Sequence, residues 1–112
     1  MADVLKSTNK RITTADGSVF TDTVLQSPSG KTCTIIGINF AAITQNTVQI
    51  RCTLVKNATS SEKHLIGLDT DLPNKSAIYF ENKHVLESQD SIKVTCNTDD
   101  AVDVTLSYLE QS

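Results

Sequence analysis

Residues 47–55 read TVQIRCTLV, and polarity alternates at every step, with Val48, Ile50, Cys52 and Leu54 on one side and Thr47, Gln49, Arg51 and Thr53 on the other. A period of two marks an extended strand, because successive side chains point to opposite faces of a sheet. One dry face and one wet face is how antiparallel sheets pack, whereas parallel sheets, covered on both sides, read as unbroken apolar runs. The stretch therefore predicts an antiparallel sheet with its core on one side only.

The same period recurs along the chain. SVFTDTVLQ (18–26) is a strand candidate closed by Ser27-Pro28-Ser29-Gly30, where Pro fixes φ and Gly permits the left-handed region. TCTIIGINF (32–40) places Thr34, Ile36, Ile38 and Phe40 on one face and Cys33, Ile35, Gly37 and Asn39 on the other, with Gly37 marking a bulge or a close backbone approach. AAITQN (41–46) is short enough to link two strands as a hairpin. After the polar turn KNATSSE, KHLIGL reads as a short strand, DTDLPNK as a loop, and SAIYF and KHVLE as further short strands. SIKVTC then alternates through Ile92, Val94 and Cys96, and the turn NTDD leads into a closing strand with Val102, Val104, Leu106 and Tyr108 inward.

Seven or eight short strands at near-regular spacing, with no helical stripe, predict an all-β fold, an antiparallel β-sandwich of jelly-roll or Ig-like type. Residues 1–17 are polar and weakly periodic and read as an N-terminal arm, frayed as chain ends usually are or ordered against a neighbour; residues 18–112 form the single sandwich domain. A faint echo, VLQSPSG against VLESQDS, suggests two similar hairpins facing each other across the sandwich.

Composition narrows the function. The chain has 112 residues, no Trp, three Phe and two Tyr, so aliphatic and β-branched side chains must fill its core. The net charge is −3; residues 1–84 carry nine Lys/Arg against seven Asp/Glu, and residues 85–112 one against six. No basic cluster interleaved with aromatics occurs, which argues against nucleic acid as a partner. Cys33, Cys52 and Cys96 are odd in number and widely spaced, and read as reduced thiols, two of them inward and Cys33 partly exposed. No signal-type leader and no apolar run of membrane-spanning length is legible, so no membrane partner is expected and assembly is assigned to a reducing cytoplasm.

Residues that could carry chemistry do not converge. His64 and His84 are the two imidazoles, and His84 and Glu87, three apart on a strand, fall on opposite faces. DTD at 69–71 and NTDD at 97–100 are oxygen-rich, but neither continues as a calcium loop. There is no GxSxG elbow and no glycine-rich phosphate cradle. The NAT at Asn57 is a polar turn. No catalytic, cofactor-binding or metal-ligating residue is assigned, and no cofactor is expected.

The run TVLQSPSGKTCTIIGINFAAIT, the strand TVQIRCTLV and the closing HVLESQDSIKVTCNTDDAVDVTLSYLE resemble small virion structural proteins of tailed bacteriophages, in order and in length, over residues 18–110. The resemblance implies a non-enzymatic virion component assembled in the host cytoplasm, a capsid decoration or cement protein, with a neck or tail accessory protein as the alternative. It implies other virion proteins as partners, the major capsid protein first, and a homo-oligomer. The attachment surfaces expected are the outward Thr and Gln residues with Arg51 and Lys93, a wet polar interface, together with open sheet edges including the closing strand. A host-glycan-binding module is the rival, and its usual aromatic platform would have to come from Phe20, Phe40, Tyr79, Phe80 or Tyr108.

Overall fold

The computed structural model describes residues 3–45, 47–65, 70–73, 75–81 and 83–111. Among them are eleven strands and no helix: β1 (Asp3–Arg11), β2 (Ala15–Asp16), β3 (Val19–Gln26), β4 (Thr32–Ala42), β5 (Val48–Val55), β6 (Glu62–His64), β7 (Thr70–Leu72), β8 (Ala77–Phe80), β9 (His84–Leu86), β10 (Ser91–Cys96) and β11 (Val102–Gln111). One sheet, A, runs β1-β11-β4-β8 with β9 also on β4; the other, B, runs β2-β3-β10-β5-β6 with β7 also on β5. Every pairing is antiparallel.

The eleven strands occupy fewer lanes than their number suggests. β8 pairs residues 38–41 of β4 and β9 pairs residues 33–35, so the two share one lane that breaks opposite Ile36 and Gly37. β6 and β7 share a lane along β5 in the same way. Setting aside two-residue β2, each sheet has four lanes, and the chain crosses to the opposite sheet after β1, β3, β4, the β6/β7 lane, the β8/β9 lane and β10, while β5 is followed by β6 within sheet B. This interleaving of two four-stranded sheets is a jelly roll. The all-β antiparallel sandwich expected from the alternation is thus present, and the jelly-roll form of it.

The core lies between the sheets. Phe40, Ile35 and Leu106 from sheet A meet Ile50, Ile92 and Val94 from sheet B, all at 4% exposure or less. Phe40 meets Phe80 edge to face, with ring centroids 6.0 Å apart.

Two bulges explain where simple alternation fails. In the β4–β11 pair, Ser107 stands opposite Gly37 and Tyr108 opposite Ile35, so Ile36 is an extra residue. Inward residues are therefore Cys33 and Ile35 before the bulge and Ile38, Phe40 and Ala42 after it; Thr34 and Ile36 do not share a face with Ile38 and Phe40. Cys33 is fully buried, not partly exposed. Gly37 serves both expected purposes, since it lies at the bulge and a β-carbon there would collide with the Tyr79 hydroxyl and come within 2.9 Å of Cζ. In the β3–β10 pair Val24 is the extra residue, which lets both Val24 and Leu25 be buried.

Other expectations are corrected by the topology. Residues 3–11 of the polar arm are neither frayed nor reaching for a neighbour; they form β1, hydrogen-bonded to β11 of the same chain. The arm is unreadable as a strand because the inner side of β1 holds Lys6, Thr8 and Lys10; the two lysines are exposed, and Thr8 is half-buried against the Val24 carbonyl of β3. AAITQN and NTDD carry the chain from one sheet to the other and close no hairpin. Residues 70–72, expected in a loop, form β7 with Leu72 buried, while Ile66–Leu68 of KHLIGL lie outside the described residues. The closing strand β11 is central, between β1 and β4, and has no free edge.

Buried carboxylates fasten the sandwich at its turns. Asp22 accepts hydrogen bonds from the Thr13 amide (2.8 Å), the Thr14 amide (3.2 Å) and Thr14 Oγ1 (2.6 Å), which ties the β1–β2 corner to β3. Asp90 accepts from Lys56 Nζ (2.7 Å), the Asn57 amide (2.9 Å) and the Glu87 amide (3.0 Å). Its backbone also pairs with the other half of the echo: the Ser27 amide donates to the Asp90 carbonyl (2.8 Å) and the Gln89 amide to the Ser27 carbonyl (3.0 Å). The two similar segments are thus neighbouring crossovers at one end of the sandwich and not facing hairpins. At the end of β11, Glu110 is clasped by Lys6 (2.5 Å) and Lys31 (3.3 Å), which hold its carboxyl below the usual range.

Candidate interaction surfaces

The two outer faces of the jelly roll are chemically unlike. On sheet B, the outward row of β10 holds Lys93 and Thr95, flanked by Thr21 and Thr23 from β3 and by Arg51 and Thr53 from β5. Thr21 Oγ1 and Thr95 Oγ1 are 2.9 Å apart, hydrogen-bonded across the strands. Thr53 points outward yet is only 7% exposed, beside His64 of the neighbouring β6. Two hollows open on it. One, about 260 Å³, is lined among others by Asp16, Arg51, Glu62, His64 and Lys93; the next, about 230 Å³, by Lys56, Asn57, Gln89 and Lys93. Both fall short of the roughly 300–1,000 Å³ usual for small-molecule pockets, and neither lining contains a Phe or Tyr ring.

Arg51 and Lys93, singled out in the sequence, are therefore brought together on one face, with Lys93 bordering both hollows. Arg51 and Lys93 are both half-buried there, so a charge reversal at either bears on the fold as well as on any docking. Of the phenyl and phenol side chains considered as a platform, Phe40 is wholly buried, Phe20, Phe80 and Tyr108 pack against the core, and Tyr79 is exposed on the other sheet.

On sheet A, the register lines up apolar side chains across the outer face. Leu5 of β1 stands opposite Leu109 of β11, Leu109 opposite Thr34 of β4, and Thr34 opposite Val85 of β9. In the adjoining row lies Gly37, with Ile36 beside it at the bulge, and the Tyr79 ring from β8 covers that glycine. Leu5 is 70% exposed, Tyr79 55%, Val85 53% and Ile36 38%. Arg11 on this face makes a bidentate contact with Asp103 at 2.6 and 3.0 Å and a longer one with Asp100 at 3.6 Å. Sequence reasoning missed this strip. Leu5 lies in a segment with no visible period, and simple alternation puts Ile36 on the face of Ile38 and Phe40, from which the bulge removes it.

The remaining groups stay apart. His64 is exposed on β6 in sheet B and His84 is half-buried on β9 in sheet A. Among the described residues no group of three His, Cys, Asp or Glu side chains is arranged to hold a metal. Asp69 lies outside the described residues, and Asn97 of the NTDD turn accepts the Gln49 amide at 3.1 Å. Cys33, Cys52 and Cys96 are free and buried, and burial pushes the Cys52 thiol up to about 12.

No family model matches the chain, and no curated protein does. Among solved structures, a chain in the structure of infectious bursal disease virus, Gx strain, superposes with a TM-score of 0.49 at 8% identity, over 97% of this chain and 31% of its own. The corresponding figures for the Gt strain are 0.42, 11%, 96% and 31%. For Arthrobacter globiformis T6 isomalto-dextranase complexed with panose they are 0.34, 14%, 82% and 16%. The protein thus spans a third or less of the solved chains it resembles. Its architecture is established by its own strand order.

Proposed function

We propose that the protein is a non-enzymatic structural component of a virus particle, and specifically a decoration or cement protein on the head of a tailed bacteriophage. The observation that carries this reading is the pair of unlike outer faces: a compact jelly roll with one apolar face and one polar, hydroxyl-rich face is built to join surfaces. Jelly rolls commonly serve in viral shells, and the sequence resemblance over residues 18–110 points the same way. The polar face of sheet B is the lattice-facing side in this reading. Its Thr, Arg51 and Lys93 side chains suit a wet interface of modest strength, which becomes durable when many copies dock on a symmetric shell. The major capsid protein is the partner this geometry serves best, with neck or tail proteins as the alternative.

Quantitative mass spectrometry of purified particles tests the reading. Copies on the order of hundreds per particle fit a shell-wide role, since only the capsid lattice repeats a site so often, and a dozen or so place the protein at the neck or tail. Absence from the particle overturns the proposal.

A further inference from the structure

We propose that the apolar outer face of sheet A is covered by the same face of a second copy, making the protein a two-fold dimer. The exposed parts of Leu5, Ile36, Tyr79 and Val85 together amount to about two whole large side chains, on the order of 350–450 Å² of apolar surface. A standard interface buries roughly 800 Å² per partner, a little over half of it apolar, so the strip supplies about the apolar area that one half of a stable dimer requires.

Charge selects a second copy as the occupant. Two identical faces repel if like charges surround the contact; here Arg11 is paired with Asp103 and, at 3.6 Å, with Asp100, and the side chains around the strip include Ser7, Asn9, Asn39, Thr105 and Ser107. Geometry agrees. A two-fold axis running along the strands between β11 and β4 lays the β1 lane over the partner's β8/β9 lane, so that protruding Leu5 meets the partner's Val85. Aligned sheets pack face to face in this manner at about −30°. The Tyr79 ring seated on Gly37 is then enclosed by the interface in place of water.

Sedimentation velocity on the full chain between roughly 1 and 100 µM tests the inference. The expected result is a monomer–dimer equilibrium that persists when salt is raised from 0.05 to 0.5 M, because an apolar contact is not screened. Leu5→Glu with Val85→Glu is expected to raise the dimer Kd about 100-fold or more at an unchanged melting temperature, both side chains being exposed in the free chain. Should that variant fold poorly, Leu5→Ser alone keeps the test, with a rise of roughly tenfold. Lys93→Glu, on the opposite face, leaves Kd unchanged. A monomer at all concentrations, an oligomer of another order, a dimer that survives the Leu5 and Val85 changes, or one dissolved by salt overturns the inference. A monomer found in hundreds of copies on particles removes the dimer and leaves the virion reading standing; a dimer absent from particles does the reverse.

Discussion

Replacing Asp90 with Ala should cost about 3–5 kcal/mol, although the side chain belongs to a turn and contributes nothing to the apolar core. Asp90 is 2% exposed, and both carboxylate oxygens are occupied: Oδ1 by the Asn57 amide, Oδ2 by the Glu87 amide and Lys56 Nζ. Truncation leaves two turn amides without their acceptor, at about 1–3 kcal/mol each, and a lysine without its counter-ion. Asp90→Asn should recover little, because an amide presents a donor to at least one of these donors. A domain of this length has a total stability of roughly 6–17 kcal/mol, so the variant folds with a Tm lower by about 12–20 °C. Burial disfavours the Asp90 carboxylate, but the bonds from Lys56, Asn57 and Glu87 outweigh it and hold the group below its ordinary value of 3.8. The stabilisation is therefore fully present above the unfolded-state value and is lost as pH falls below 3.8 toward the folded one. Urea unfolding of the wild type and both variants at pH 7 and at pH 3 measures this directly. The difference should shrink at pH 3. A loss under 1 kcal/mol at pH 7, or one independent of pH, would refute the role assigned to the carboxylate.

Asp22 follows the same logic at the opposite corner. Burial again disfavours ionisation, the Thr13 and Thr14 bonds reverse it, and Asp22→Ala should cost about 2–4 kcal/mol, with hydrogen exchange of the β1 amides accelerating more than that of β5; uniform acceleration would count against a corner-specific effect. Cys33, Cys52 and Cys96 have no exposure, and burial raises the Cys52 and Cys96 thiols, so a thiol reagent at pH 8 should label none of them until denaturant is added; one equivalent reacting within seconds in native buffer would contradict the packing. Gly37→Ala should lift the Tyr79 ring away from the sheet at a stability cost of about 1 kcal/mol or less, because the obstructing atoms are the free end of an exposed side chain. With no Trp and only two Tyr in the chain, tyrosine fluorescence reports the change.

Alternation was legible where a strand has a core on one side and solvent on the other. β5, β10 and β11 meet that condition, and their inward residues Val48, Ile50, Val94, Cys96, Val104 and Leu106 are all buried. The Asp16-Gly17 turn signal was also sound: Asp16 pairs with Val19 across a two-residue loop, and Gly17 has φ of +69°. Legibility failed where a different physical term decides. The inner side of β1 leaves Lys6 and Lys10 exposed and only half-buries Thr8, which donates to the Val24 carbonyl of the opposing sheet, so its polar residues carry no period even though the strand is paired along β11. A one-residue bulge inverts the phase of everything after it, which moved Thr34 and Ile36 to the outer face and Cys33 to the core. Turn composition marked where the chain reverses, but Asn, Asp, Gly and Pro suit a hairpin and a sheet-to-sheet crossover equally. Nothing local in AAITQN or NTDD records which sheet the next strand joins.

The edges of the two sheets bear on how such a protein associates. An open edge offers a row of unpaired amides and carbonyls to any other strand, and the edges here carry devices that blunt them. β1 directs Lys6 and Lys10 inward, where an added strand would have to accommodate them, and Lys6 is already held by Glu110. The lanes formed by β8 with β9 and by β6 with β7 are each broken into segments of three or four residues. On the last edge, two-residue β2 covers Val19 and Phe20 of β3. Strand addition is thus disfavoured at three of the four edges, and the faces, where the apolar strip and the polar hollows already differ, offer the larger surfaces for association. Two kinds of contact on opposite faces of one slab let a protein hold its own copy and a lattice at once, without either contact competing for the other's surface.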